Sequence, residues 1–394
     1  MAFSACVGFA QAPAGAGPDS QPDTTRYPVS PHRPKPRHPI AGRRPTFQIS
    51  GCQEITAAGY YTLTADIHTF GLACMKIHDA HNVTLDCDGH FINGDFGYTP
   101  ITVKNVAAFT LTNCSVINQG ILLGRLVYWG SVEIETGEDI ALTYNNIGGT
   151  VVYQVSRGFV SNNQIVGYAQ YFSHDVTISQ NTTSEIALSE GYNNQVLNNT
   201  IDGKWDGVIP LSPGEVNAGV FGVVLYKETA DLISENDIGN FWEAGIALED
   251  SLANTTISMN SIHHVLGPMI EAFGSLDWQG IRILDNQADD VAQLFTIRYL
   301  PQVTPPPPTV HFENNSFVGN DLAHANGRDY FGTGPRSLIL INSAEPVQIL
   351  VDNNVFENNT FGLYAPQLTP ATGFIDGGGN ICYIATDGSP ITCH

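Results

Sequence analysis

Leu142-Thr143-Tyr144-Asn145-Asn146-Ile147, Val160-Ser161-Asn162-Asn163-Gln164-Ile165, Ile178-Ser179-Gln180-Asn181-Thr182-Thr183 and Val196-Leu197-Asn198-Asn199-Thr200-Ile201 are four versions of one phrase. Each runs apolar, two mostly polar residues, Asn, a polar residue, then usually an apolar one. The recurring Asn stands at 145, 163, 181 and 199, a constant step of 18. A fixed period near 20 residues marks a solenoid, and it is too short for paired helices, which need more than about 30. The units are β-branched and punctuated by Asn and Gly, which favours strands and tight turns over helices. Stacking them predicts a parallel β-helix.

The Asn has physical reasons to recur. It tolerates the left-handed conformation that a tight turn needs, and it hydrogen-bonds nearby backbone. Stacked Asn side chains also bond to one another along the axis. The phrase continues with wider steps at Asn236, Asn260, Asn286, Asn315 and Asn354. This pattern resembles the Asn ladder of right-handed parallel β-helix proteins, which include pectate-lyase-like enzymes and the repeats of carbohydrate-binding proteins and sugar hydrolases. The resemblance spans residues 50–380. It implies an all-β, right-handed parallel β-helix of about eleven coils behind an N-terminal cap. It is specific for the fold and silent on the reaction. Asp88 stands where later coils carry Asn, and the Gly89-His90 pair resembles the family's cap motif, which gives His90 a structural role.

Residues 1–46 read as a truncated signal-like start and a Pro-rich linker. Nine of the 23 Pro fall in 11–46, with almost no large apolar residue, so this stretch cannot bury a core. Cys6 sits in a setting like the end of a lipoprotein signal, and Ala10-Gln11-Ala12 like that of an ordinary one. Either implies a secreted, periplasmic or cell-surface protein, with the basic linker as a tether to a cell surface or membrane. Residues 47–394 form one solenoid domain, with loops inserted at 203–219, 298–309 and 319–335.

Net charge is −22, and six of the 16 basic residues precede residue 47. So acidic a body repels nucleic acid, and it repels a polyuronic acid unless a cation or basic patch intervenes. Of seven Cys, six (Cys52, Cys74, Cys87, Cys114, Cys382 and Cys393) suffice for three bridges in an oxidising compartment.

Between Asn turns lies a second strand, often Gly-apolar-x-apolar-x. Alternation turns its fifth residue outward, and stacking aligns Gln154, Tyr171, Ser189, Tyr226, Glu249 and Glu271 in one exposed column. Adjacent Glu249 and Glu271 would act as acid and nucleophile or base, since close carboxylates split their pKa values. With Asp250 the same pair would suit Ca²⁺, although no cofactor is required. Trp205 and Asp206, Trp242 and Glu243, and Trp278 cluster on these coils, and aromatic faces with acids suit sugar rings and hydroxyls. Adjacent His263 and His264 point apart on a strand and are not expected to share a metal. Complete catalytic sets of polygalacturonase-like or mannuronan-epimerase-like proteins are absent: Asp289-Asp290 stands alone, and Arg282-Ile283-Leu284 lacks the Lys. The sequence therefore predicts a polysaccharide-binding solenoid, leaning to a glycoside hydrolase or lyase. The alternative is a non-catalytic adhesion protein or a Ca²⁺-stabilised structural solenoid.

Overall fold

In the computed structural model the described residues are 45–69, 73–94, 98–122, 125–128, 130–203, 219–273, 278–298, 309–318, 339–342, 348–357, 374–383 and 390–391. They form a right-handed parallel β-helix. One coil shows the plan: Ile186–Ser189 lies in a first sheet, Gln195–Leu197 in a second and Thr200–Asp202 in a third. Twelve coils contribute a strand to all three sheets, close to the eleven expected. Some strands bend through a corner, as Thr150–Ser161 does from the first sheet into the second. Neighbouring coils pair in parallel. Among the described residues two short hairpins are antiparallel, at Arg125–Tyr128 and Pro390–Ile391. The expected tail and signal segment, Cys6, Cys393, and most of the three inserted loops with Trp205 and Asp206 lie outside the described residues.

Alternation sends every second side chain inward, and parallel register stacks like on like. Val160, Ile178, Val196, Ile233, Ile257 and Ile283 make one such line, none more than 3% exposed. Burying each contributes about 2 kcal/mol.

The Asn ladder runs through ten coils, from Asn145 to Asn380. Asn181 represents those from Asn163 to Asn315. Its backbone N–H and Nδ2 both donate to Asn199 Oδ1, at 2.9 and 3.0 Å. Its second Nδ2 hydrogen goes back to the Val160 carbonyl at 2.9 Å. Its own Oδ1 accepts from Asn163 in turn. Each buried amide therefore uses both donors and both lone pairs.

The structure changes one part of the expectation. The left-handed residue is not the ladder Asn but its predecessor: Tyr144, Asn162, Gln180, Asn198, Glu235 and Met259 all have φ between 54° and 59°. Asn is required at the ladder for its amide, not for its φ. That also explains the Asn-Asn doublets: the first tolerates the turn and the second bonds the stack.

The N-terminal coils are closed differently. Disulfides Cys52–Cys74 and Cys87–Cys114 tie adjacent coils, which fits an oxidising compartment. Cys114 fills the ladder slot below Asn145, and its backbone N–H donates to Asn145 Oδ1 at 3.0 Å. Pairing of Phe91 with Ser115, and of Ser115 with Asn146, gives the preceding slot to His90 rather than Asp88. Asp88 instead takes the left-handed turn, with φ 48°. His90 Nδ1 lies 3.0 Å from Asp66, whose carboxylate also accepts the Phe91 N–H. Those bonds hold Asp66 below its usual pKa and fit a structural His90.

Asn199→Ala removes the acceptor of two Asn181 donors and the donors to Ile178 and Asn236. Denaturant unfolding should record a loss of about 3 kcal/mol or more. Asn198→Gly, at the left-handed neighbour, should change stability by less than ~1 kcal/mol.

Candidate functional site

The outward face of the first sheet carries two parallel columns. Register places Glu135, Tyr153, Tyr171, Ser189, Tyr226 and Glu249 side by side, one per coil. Two residues earlier on the same strands stand Val151, Ala169, Ala187, Val224 and Ala247. The second column is small and apolar, so from Val151 to Val224 it makes a low strip beside a taller hydroxyl-bearing one; Ala247 is fully buried. Coils repeat at roughly 4.8 Å, and the Tyr153 and Tyr171 rings stack at 5.0 Å.

Charge gathers at the Glu249 end. Glu249 is partly buried, and burial together with the Asp250 and Glu243 carboxylates raises its pKa to about 7. A neutral carboxyl at physiological pH is equipped to donate a proton. Next to it, Lys227 holds its Nζ 4.6 Å above the Tyr226 ring and 3.9 Å from Asp250. Trp242 and Glu243 lie half-buried in the corner leading into the Glu249 strand. The structure thus brings together Ser189, Tyr226, Glu249, Glu243 and Asp250 from the residues singled out in the sequence.

Four of the site expectations fail. Glu271 is not beside Glu249, because register pairs Glu249 with Phe273 and Glu271 with Ala247. Glu271 is also fully buried, so the two do not form an exposed carboxylate pair. Gln154 misses the column by one residue: it turns the corner with φ 50° and accepts from Thr136 Oγ1, while Tyr153 takes the column position. Trp278 is 1% exposed and its Nε1 donates to the Asp250 carbonyl at 2.6 Å, so it packs the core instead of facing sugar. The Glu249–Glu271–Asp250 metal set goes with the lost pairing. Among the described residues no three His, Cys, Asp or Glu side chains gather closely enough to hold an ion.

The two register errors have different causes. Gln154 comes from starting its strand at Thr150, one residue past Gly149, which stands level with Gly167. Glu271 comes from aligning strands on their glycines, but Gly245 and Gly267 do different work. A Cβ on Gly245 would meet Ile262 Cγ2 at 2.7 Å and the Met269 carbonyl oxygen at 2.9 Å, whereas one on Gly267 would meet the Glu243 carbonyl oxygen at 1.7 Å. Counting from the ladder Asn avoids the slip. Tyr153, Tyr171 and Ser189 each stand eight residues after theirs, and Glu249 and Phe273 each thirteen.

Sequence reading also missed Glu228 and Asp231, since nothing in the repeat marks them. They are buried at the corner between the first and second sheets. Glu228 accepts from Gly191 N at 2.8 Å and Asn194 Nδ2 at 3.1 Å, and Asp231 accepts from Asn194 N at 2.7 Å. Burial raises the pKa of both carboxyls, and the Glu228 charge beside it raises Asp231 further, to about 9. His263 and His264 do not point apart as expected: His264 takes the left-handed conformation with φ 53°, and the two Nδ1 atoms lie 2.7 Å from each other, while His263 Nε2 bonds Asp237 at 2.9 Å and its ring covers Gly239.

A family model described as right handed beta helix region matches residues 170–295. Among solved structures the chain is similar to a mutant tailspike protein of E. coli bacteriophage HK620 in complex with a pentasaccharide. That match has 12% identity over 86% of this chain and 72% of the other, with a TM-score of 0.51. The chain is also similar to the A-module of the Azotobacter vinelandii mannuronan C-5 epimerase AlgE6, with 12% identity, 77% and 90% coverage and a TM-score of 0.40. The Dettilon tailspike protein matches at 13% identity and a TM-score of 0.40, over 85% of this chain but only 59% of its own. The chain thus spans about three-fifths of that tailspike. No curated protein sequence matches. At these identities the likeness carries the fold alone.

The buried acid pair has a pH signature. Asp231 binds its proton more tightly folded than unfolded, so its contribution to stability is complete below about pH 4 and is lost as pH rises toward 9. Thermal unfolding of the wild type should show a falling Tm across that window. Asp231→Asn should flatten the fall, and an unchanged slope would assign it to other groups.

Proposed function

We propose that this is an exported polysaccharide-binding solenoid whose ligand lies along the outward face of the first sheet, parallel to the helix axis. The observation that carries the reading is the column of Tyr153, Tyr171, Ser189 and Tyr226 beside the low Val151–Val224 strip. Sugar rings present apolar C–H faces and polar hydroxyl rims. Tyrosines supply ring faces for the first and hydroxyls for the second. The coil repeat of about 4.8 Å is close to the length of one hexose in an extended chain, so a glycan would meet an equivalent contact at each coil. The two disulfides agree with export.

A second reading, cleavage of that chain, is favoured by Glu249. Its pKa of about 7 lets it hold a proton beside the ligand and pass it to a glycosidic oxygen as the bond breaks. Asp250 and Glu243, whose charges already act on Glu249, are the candidates for the base.

A panel of soluble polysaccharides, followed for binding and for new reducing ends, tests both. Tyr171→Ala should weaken binding about tenfold, the loss of ~1.4 kcal/mol expected of one aromatic contact. Glu249→Gln should abolish any turnover while sparing affinity, and wild-type turnover should fall as pH rises through 7. Binding without turnover would leave a binding solenoid, and no binding anywhere would overturn the reading.

A further inference from the structure

We infer that the glycan taken by this face carries free amino groups, as a de-N-acetylated hexosamine chain does. The inference rests on the polysaccharide reading above and adds the ligand's charge.

The tyrosine stripe is enclosed by carboxylates. At one end, Glu135 shares the column with Tyr153, and Glu133 stands beside Val151. At the other end Asp250 and Glu243 lie close enough to the Glu249 carboxyl to raise its pKa. Glu185 precedes the Ile186–Ser189 strand on one edge, and Glu190 follows it on the other. These charges reach the rings. Glu133 and Glu135 act on the Tyr153 hydroxyl and Glu185 on that of Tyr171, reinforcing the burial that holds both above their usual pKa.

Cations here are few and already engaged. Lys104 lies 2.8 Å from Glu135. Arg157 is held by Glu138 and Asp139 on the corner. Lys227 lies over Tyr226 and near Asp250. The one other Lys or Arg among the described residues from 98 to 250 is Arg125, on the hairpin that extends the third sheet. A polyuronate would therefore meet like charge along both edges of the stripe. A neutral glycan would draw nothing from the acids. An ammonium-bearing sugar satisfies both features: its positive group pairs with the flanking carboxylates and lies favourably against a tyrosine face.

The test compares binding of the full-length protein to a glucosamine polymer, its N-acetylated counterpart, a neutral β-glucan, a polyuronate and polylysine. The glucosamine polymer should bind at least tenfold tighter than the acetylated one. That advantage should shrink on raising salt from ~0.05 to ~0.5 M, as screening shortens. Glu185→Gln with Glu190→Gln should reduce it, and Tyr171→Ala should reduce it without changing charge. Equal affinity for the free and acetylated polymers would overturn the inference and leave the glycan reading standing. Glucosamine-polymer binding untouched by Tyr171→Ala, and matched by polylysine, would reduce it to bulk attraction by a chain of net charge −22 and also overturn it. Failure of every sugar polymer to bind would sink both readings.

Discussion

One side-chain amide, repeated, fixes where everything else in this protein stands. Each ladder Asn makes two bonds to the next coil and one to the coil before. Shifting a coil by one residue would break all three and leave buried donors without acceptors, each costing about 1–3 kcal/mol. The same shift would turn the inward-facing Val and Ile outward. Hydrogen bonding and hydrophobic burial therefore select the same register, and that agreement makes a three-sided tube out of strands only two to six residues long in many coils.

The stripe on the first sheet inherits its order from that constraint. Tyr153, Tyr171, Ser189 and Tyr226 are separated by unequal lengths of sequence, including the 37-residue step that carries the 203–219 insertion, yet they fall in line. The register shifts at Gly219–Phe221 and Val265–Pro268 come before the column positions, and from Val223 to Tyr226 the strands pair without a break. A surface of this kind can change its side chains coil by coil while holding its spacing, which is what recognition of a repeating polymer needs.

How much was legible follows from how strongly each feature is constrained. The ladder could be read directly because only Asn supplies both a donor pair and an acceptor at that slot. Tyr171, Tyr226 and Glu249 were placed correctly because each stands four residues after the glycine that opens its strand (Gly167, Gly222 and Gly245), and Ser189 stands four after Glu185 in the same pattern. Glu271 was misplaced by the same ruler, because glycine marks any close backbone approach, whether the carbonyl of Met269 or that of Glu243. Gln154 was misplaced because its strand was counted from Thr150, one residue past Gly149. Trp278 looked like a sugar platform from its neighbours in sequence, but its indole N–H reaches the Asp250 carbonyl inside the tube. Glu228 and Asp231 were invisible because two acidic residues in a turn ordinarily face water, and only the fold reveals that Gly191 and Asn194 close over them.

The two described cross-links act as a ratchet on the coils they join. In a stack where each coil contacts only its neighbours, a coil that opens exposes the next one. Cys52–Cys74 and Cys87–Cys114 staple the first described coils to one another, so a coil that opens there stays tethered to its neighbour and recloses against it. Reduction would release that ratchet, which makes the oxidation state of four sulfurs a control on how long these coils keep their place in the stack.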